Sequence, residues 1–483
     1  MNTIEMNERH QAVLQAAYNA WMAGSTLRRN RLRNKRFTYG DQWGDLMRDE
    51  RGRLVTEGEH YCQWGQRPIT NNMIRQLVKT IVGRYRAKYM TERAEQRTAA
   101  LNHAYSDNSL DEIDARALEE FLISGCCVQR IDHDLNPLNR RLRVDNVPVG
   151  HFFINAVSDA RLWDCELIGQ LHDVSVAHLV ARVAAGQRRK AAWVRRLYSE
   201  QVDQRIAQLT TALGCDSQTG TDFWRARDGK CRLIEVWTLE SREVMLHHNK
   251  RTAELSITAV GASRRPRTDP DVTSTWEVCT VWHCRWFSPM GDVLLEYDSP
   301  WPHGSHPFVA KFYPLTDGEV HALVEDVIDQ QKFVNRLVTV LDQIMAASAK
   351  GVLLYPETAL PDGYTWEDVR RIWSSTGGIL PYSPQLSDAR PEQIINNGTN
   401  SSAFDMINLQ MKMLEQVSGV PSALQGRTVG GNSASLYEQQ AQNAEMAMTD
   451  IFDTFTHFTR ERDSRLLAML DRDETVTNHQ ENK

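Results

Sequence analysis

The sequence predicts an α+β protein in which helices predominate. Three observations carry that prediction. Apolar residues recur three and four positions apart through the first quarter of the chain. Between Lys230 and Phe312 the pattern changes to β, rich in Trp, Val, Ile and Thr and divided by turn residues. From Val320 the helical period returns over two very long runs.

Taken in order, Asn7 to about Lys35 predicts a helix with Val13, Ala16, Ala17, Ala20 and Leu27 near one stripe. It ends in "RRNRLRNKR" (Arg28–Arg36), which admits two readings: contact with nucleic acid or an acidic partner, or a solvated helix face. "FTYGDQW" breaks the helix at Gly40 and supplies three aromatic anchors. A second helix follows Pro68, with Ile74, Leu77, Val78, Ile81 and Tyr85 on one face, and a third spans about Leu110–Ser124. Arg141–Asn155 reads as strand. Two helical segments follow between Val176 and Leu213, the second carrying "QRRKAAWVRR" and therefore amphipathic and basic. In the β region, "CRLIEVWTLES" and "EVMLHH" read as two strands around a tight turn. "TWEVCTVWHCRWF" and "DVLLEYD" flank a turn at "SPMG". "VGASRRPRTDPDV" (Val260–Val272) reads as a mobile loop, and the tryptophans are expected to fill a sheet face.

The run from Val320 to Lys350 carries Leu323, Val327, Val334, Leu337, Leu341 and Ile344 as its stripe, with Asp326, Asp329, Lys332 and Arg336 off it. Gln330, Gln331 and Asn335 interrupt the stripe. Buried carboxamides need partners, so they predict packing against neighbouring helices in a specified register. A compact insert follows: "GVLLYP" as strand, "TWEDVRRIWSS" as a short helix capped by Thr365 with Asp368, and "GGILPYS" as a second strand. It is too small to bury a core of its own and is expected to complete itself against other copies. A helix from about Asn400 to Ser418 carries Ala403, Ile407, Met411 and Leu414. It stops at Gly419, suited to the left-handed cap position, ahead of Pro421. After a polar loop, Ser433 to Leu470 predicts the longest helix, with Tyr437, Ala441, Ala444, Met448, Ile451, Phe455, Phe458 and Leu466 in register. The residues after Asp471 are polar and expected to fray.

Composition and motifs exclude more than they assign. A net charge of −6 over 483 residues argues against a dedicated grip on nucleic acid, which draws on a basic surplus. The eight cysteines form no CxxC pair, and no His cluster has zinc-ligand spacing, so free thiols and no metal are expected. No secretory h-region and no membrane-length apolar run occurs, which predicts a soluble protein made and kept inside a cell, or inside something assembled there. There is no phosphate loop, HExxH, dinucleotide fingerprint or EF-hand. "GNSAS" (Gly431–Ser435) lacks the closing Gly of a nucleophile elbow and follows no strand. His247-His248 and His303/His306 have no acidic companions at metal-ligand spacing. No cofactor and no catalytic residue are assigned, and the chain does not read as an enzyme.

The order of parts, together with "FTYGDQW", "RPITNNMIRQLVKTIVG", "LVEDVIDQQKFVNRLVTVLDQIMAASAKGVLL" and "SGVPSALQGRTVGGNSASLYEQQ", resembles the portal proteins of tailed bacteriophages of the short-tailed type, from about Phe37 to Leu470. The resemblance implies the portal fold in a ring. Residues 1–319 would be the wing, 320–349 the outgoing stem helix, 350–399 the clip, 400–418 the returning stem helix, 419–432 the tunnel loop, 433–471 a long wing or crown helix, and 472–483 a polar tail. It implies a homo-oligomer of twelve at one capsid vertex, the channel for packaging and ejecting double-stranded DNA. Partners would be the major capsid protein and a scaffold, the terminase large subunit and then head–tail adaptor or tail proteins. The location would be the virion, after assembly in the host cytoplasm, with no membrane. Gln425, Gly426, Arg427, Thr428, Gly430, Gly431 and Asn432 would face DNA without holding it. Gln330, Gln331, Asn335 and Arg336 would lie between subunits in the stem, and Tyr355, Trp366, Arg370, Trp373 and Tyr382 would belong to the clip. Only about a dozen residues follow the last predicted helix, so no long C-terminal barrel is expected. The competing readings are another virion structural protein, internal or adaptor, a soluble helical protein of unknown role, and an enzyme whose site is assembled from distant residues.

Overall fold

The computed structural model describes residues 3–481 except 64–66, 134–140, 185, 200–220, 227–228, 252–254, 260–270, 302–303, 351, 375–378, 384–389, 395–400, 421–441 and 443–445. The chain forms two compact units. The first comprises residues 1–39, 74–326 and 419–483; the second comprises 40–73 and 327–418.

The first unit is α+β. Its N-terminal run is two helices, Thr3–Ala23 and Ser25–Tyr39, rather than one, because the chain turns at Gly24. The buried face is Leu14, Ala17 and Trp21: of the expected stripe Ala17 is buried and Leu27 packs on the core, whereas Val13 and Ala20 are half-buried and Ala16 is exposed. Part of the basic run is taken up inside the chain, while Arg29, Arg33 and Lys35 stay exposed. Arg28 is buried, stacks 3.8 Å from the Trp21 ring centroid and donates to the Trp21 carbonyl. Arg31 forms a two-pronged pair with Glu120, and Asn34 donates to the Ile123 carbonyl at 2.8 Å. The helix stops at Tyr39, and Gly40 takes φ +101°, a backbone that side chains resist.

Two antiparallel sheets follow. In the smaller, Cys126–His133 lies between Phe308–Phe312 and Leu142–Asn146. In the larger, the order is Val293–Asp298, Val272–Phe287, Cys231–Asn249, Leu167–Val174 and Phe152–Ile154. Leu255–Ala259 pairs with the far half of Cys231–Asn249. The two strands expected around a tight turn are therefore one strand of 19 residues. Glu240–Glu243 stays extended because each residue is paired with Val278–Val281 opposite, so long-range pairing overrides the polar local signal. Its first seven residues are buried, and the strand then runs out of the core. Tryptophans follow the same gradient: Trp237 and Trp286 are sealed in, whereas Trp276 stands 57% exposed. Val260–Val272, expected as a loop, lies almost wholly outside the described residues.

All five expected core positions of the helix Met73–Tyr85, namely Ile74, Leu77, Val78, Ile81 and Tyr85, are buried. The helix Leu110–Ser124 has the expected bounds. Of the long C-terminal helix, Thr449–Glu481 is described; it continues past Asp471 where fraying was expected. Met448, Ile451, Phe455, Phe458 and Leu466 are buried as the periodicity requires, while Tyr437, Ala441 and Ala444 lie outside the described residues.

A buried polar cluster fixes this last helix. The fully buried Arg462 donates through Nε to Asp463 at 2.9 Å, through Nη1 to Asp114 and to Gln129 Oε1, and through Nη2 to the Tyr105 oxygen. Tyr105 in turn donates to Asp463 at 3.0 Å, and Gln129 Nε2 to Asp114 at 3.0 Å. Burial lowers the guanidinium's proton affinity, but Asp114, Tyr105 and Asp463 outweigh it and hold the charge. Replacing Arg462 with Met leaves Asp114 charged and unpaired in the interior, a loss of about 3–5 kcal/mol. Thermal unfolding of the variant should show that loss, and recovery of stability in Arg462→Met/Asp114→Leu should identify the orphaned charge as its cause.

Candidate functional site: a helix pair, its polar seam and its cap

The second unit is built on two helices, Leu323–Lys350 and Ser401–Ser418, of which the first four residues of Leu323–Lys350 belong to the other unit. The first helix has 28 residues, about 42 Å at 1.5 Å per residue. It begins three residues later than the periodicity predicts, since Glu319–Val320 pairs as a short strand with Pro314–Thr316. Val334 and Leu414 are sealed with Met73 in one cluster, with Val338 and Met411 beside them; Ile344, expected on the same stripe as Val334, is instead 37% exposed. Gly419 ends the second helix at φ +68°, the predicted left-handed cap.

The amides of the first helix make a seam with the segment Ile69–Met73. Side chains at 331, 335 and 339 accept from alternate backbone N–H groups. Gln331 Oε1 takes Met73 at 2.9 Å, Asn335 Oδ1 takes Asn71 at 3.0 Å, and Thr339 Oγ1 takes Ile69 at 3.1 Å. Gln331 Nε2 returns a bond to the Asn71 carbonyl at 2.6 Å and reaches Asn335 Oδ1 at 3.0 Å. Asn335 Nδ2 donates to Gln42 Oε1 at 2.6 Å, and Gln42 donates to Asn72 at 3.1 Å. One turn aside, Lys332 pairs with Asp45 at 2.6 Å and Arg336 with Glu57 at 2.7 Å.

Gln331 and Asn335 are thus buried groups whose partners are supplied by the chain itself. Gln330 is half-buried, and Arg336 remains 47% exposed while bonded to Glu57. Gln42, Asp45, Glu57 and Asn71 complete the arrangement. The sequence signals that the amides need partners but not that they lie about 260 positions upstream.

The cap follows the first helix. Val352–Leu354 pairs antiparallel with Glu392–Ile394, not with "GGILPYS". Residues 379–383 are described and are not strand; Pro381 lacks the N–H that a ladder requires. The short helix Trp366–Ser374 has the predicted cap: Thr365 Oγ1 donates to Asp368 at 2.7 Å, and Asp368 N donates back to Thr365 at 3.3 Å. Tyr355 sits edge-on to Trp366, ring centroids 5.8 Å apart, and donates to the Pro381 carbonyl. Trp366, Arg370 and Tyr382 are exposed, and Trp373 is half-buried. Gln425, Gly426, Arg427, Thr428, Gly430, Gly431 and Asn432 lie outside the described residues, as does "GNSAS".

Both helices leave apolar side chains open. Phe333, Val340, Ile344 and Met345 on the first, and Phe404, Met406, Leu409, Met413 and Val417 on the second, are 37–55% exposed. Scattered apolar exposure is ordinary; a succession along two adjacent helices is not.

In the first unit, a cavity of about 580 Å³ is lined by Arg130, His172, His178, Arg182 and Trp286 among others. Its charges are internally neutralised. Arg130 lies between Asp132 (2.7 Å) and Glu235 (2.8 Å), His172 and Trp237 bond Glu235 at 2.6 and 2.8 Å, and Arg182 pairs with Asp132 while stacking on Trp286. Burial pushes the Glu235 carboxyl up, but Arg130 and His172 override it and bring it down to about 2; burial lowers His172. No metal-binding group of His, Cys, Asp or Glu occurs among the described residues, and no helix among them is long and apolar enough to cross a membrane. Seven cysteines are free thiols among the described residues, five of them buried, with burial pushing Cys165 up to about 12.

A helix pair with open apolar faces and a small cap is the kind of surface that packs against another protein chain. The model of the phage P22-like portal protein family matches residues 14–472. The chain belongs to that family and has a portal role, in a structural rather than enzymatic class, as a bacteriophage virion component of the capsid vertex and genome packaging. No curated protein matches the sequence.

The seam gives a prediction. Asn335→Leu removes the acceptor of Asn71 N–H and the donor to Gln42, at about 1–3 kcal/mol for each group left unsatisfied. Thermal unfolding should show the loss, whereas a change below about 0.5 kcal/mol, the scale of a neutral surface substitution, would count against the seam.

Proposed function

We propose that the chain forms a ring, of twelve copies as the resemblance implies, that serves as the channel for viral DNA. The observation that carries the reading is the apolar succession on the two helices of the second unit, from Phe333 to Met345 and Phe404 to Val417. A neighbouring copy is the partner that would bury them all at once, by the symmetry that closed oligomers use. Leu323–Lys350 and Ser401–Ser418 would be the stem helices, with Gln330 and Arg336 facing the next subunit. The cap, with Tyr355, Trp366, Arg370, Trp373 and Tyr382, would be the clip, the surface that docks the terminase motor during packaging and adaptor or tail proteins afterwards. Gln425–Asn432 would be the tunnel loop. A segment of Gly, Thr and Asn with the single cation Arg427 touches a moving phosphate backbone without accumulating affinity, which rises with every phosphate neutralised and multiplies with copies.

Twelve copies of the 55.3 kDa chain weigh about 660 kDa. Negative-stain imaging and light scattering of the purified protein should find rings of that mass with a central hole. A monomer at every concentration and salt would overturn the reading. Removing residues 426–432 should leave rings intact and reduce DNA packaged or retained in particles. Full packaging and retention by that variant would remove the tunnel-loop assignment while leaving the ring.

A further inference from the structure

The helix Arg188–Leu197 is strongly basic. "RRKAAWVRRL" holds five cations and no acid in ten residues of a chain whose net charge is −6. At 100° per residue, Val194 marks the buried side, with Trp193 and Leu197 packed beside it on the core. The opposite arc holds Arg195, Arg188, Ala192, Arg196 and Arg189. All five are exposed, so every exposed residue of the helix except Ala192 is an arginine.

Local stability accounts for only half of this face. Arg195 and Arg196 occupy the last turn, where the helix dipole favours positive charge, but Arg188 and Arg189 occupy the first turn, where it disfavours it, and the four guanidinium groups repel one another. Elsewhere in the same unit arginines are neutralised by carboxylates, as at Arg31–Glu120, Arg130–Glu235, Arg242–Asp298 and Arg285–Glu240. Among the described residues, none of Arg188, Arg189, Arg195 and Arg196 has a carboxylate partner.

We propose that this face is a DNA-contact surface, separate in the chain from residues 425–432, that holds the phosphate backbone of double-stranded DNA. The arginines form two pairs seven residues apart, about 10 Å along the helix axis, matching three base-pair rises of about 3.4 Å each. Arginine suits the task because its planar fork takes phosphate oxygens two at a time. A protein partner would call for an apolar anchor among the cations, and the exposed arc offers only Ala192. The proposal rests on the portal reading only for the presence of DNA.

The test compares the full chain with the variant Arg188→Gln/Arg189→Gln/Arg195→Gln/Arg196→Gln. A control, Arg48→Gln/Arg51→Gln/Arg116→Gln/Arg143→Gln, removes equal charge from exposed positions elsewhere. The probe is a fluorescent duplex of about 30 base pairs, titrated from about 50 to 200 mM salt; four phosphate contacts cost about a hundredfold in affinity over that range. The variant should lose that salt-dependent part, with a slope of log affinity on log salt shallower by about 3–4, while the control binds like the parent. Equal affinity and slope in parent and variant would overturn the proposal. So would arginine-dependent binding of polyglutamate without binding of the duplex, which would assign the face to an acidic protein. Ring formation, imaged on the same samples, is read separately: rings with unaltered DNA binding refute this inference alone, whereas arginine-dependent DNA binding without rings refutes the proposed ring and leaves this one standing.

Discussion

The second unit depends on a match of two repeats. An α-helix advances about 6.0 Å in four residues, and an extended chain about 6.6 Å in two. Side chains at 331, 335 and 339 can therefore meet the backbone N–H groups of residues 73, 71 and 69 in turn, as a neighbouring strand would. Gln331, Asn335 and Thr339 each turn an acceptor to that segment, while Lys332 and Arg336 reach carboxylates on the adjoining surface. A slip of one residue would offset every bond at once. The seam thereby fixes register more sharply than the apolar contacts of Val334 with Leu414, which tolerate small displacements.

That constraint leaves the outer side of the helix pair free for other work. With Gln331, Asn335 and Thr339 taken up within the chain, the open positions hold the apolar succession together with polar side chains such as Asp329, Arg336, Asp342 and Lys412. A helix whose inner side is specified by hydrogen bonds keeps its geometry while its outer apolar side chains wait for a neighbour, because the two sides do not compete for the same contacts. The first unit uses a comparable device independently: Arg462 draws Asp114, Asp463, Tyr105 and Gln129 into one cluster and sets the rotation of the terminal helix, whose phenylalanines alone would pack in several ways.

Local signals carried much of the fold into the sequence. The helix Met73–Tyr85 shows its buried face at every expected position, Gly40 and Gly419 take the left-handed conformations their places require, and Thr365 with Asp368 forms the expected cap. What was hidden depends on distant partners. The strand Cys231–Asn249 reads as two because Glu240–Glu243 looks like a turn until a paired strand holds it open. Val352–Leu354 has a nearer candidate in "GGILPYS", but Pro381 breaks that ladder and Glu392–Ile394 supplies the complete one. The amides at 331 and 335 announce a need for partners, and nothing in their own neighbourhood names Asn71 or Gln42. The basic run at Arg28–Arg36 was legible as charge but not as packing, since Trp21 and Glu120 absorb Arg28 and Arg31 only once the helices fold together.

Charge is therefore informative here by where it remains after folding, not by its total. An acidic chain of net −6 neutralises its arginines pair by pair in the interior and along its strands, and each neutralised arginine is unavailable to a polyanion. Affinity for phosphate follows the number of cations left able to release condensed counterions. On the two proposals above, a segment with the single cation Arg427 would slide along a phosphate backbone and a face with four arginines in a fixed array would hold it, because the number of uncompensated cations sets the affinity in both cases.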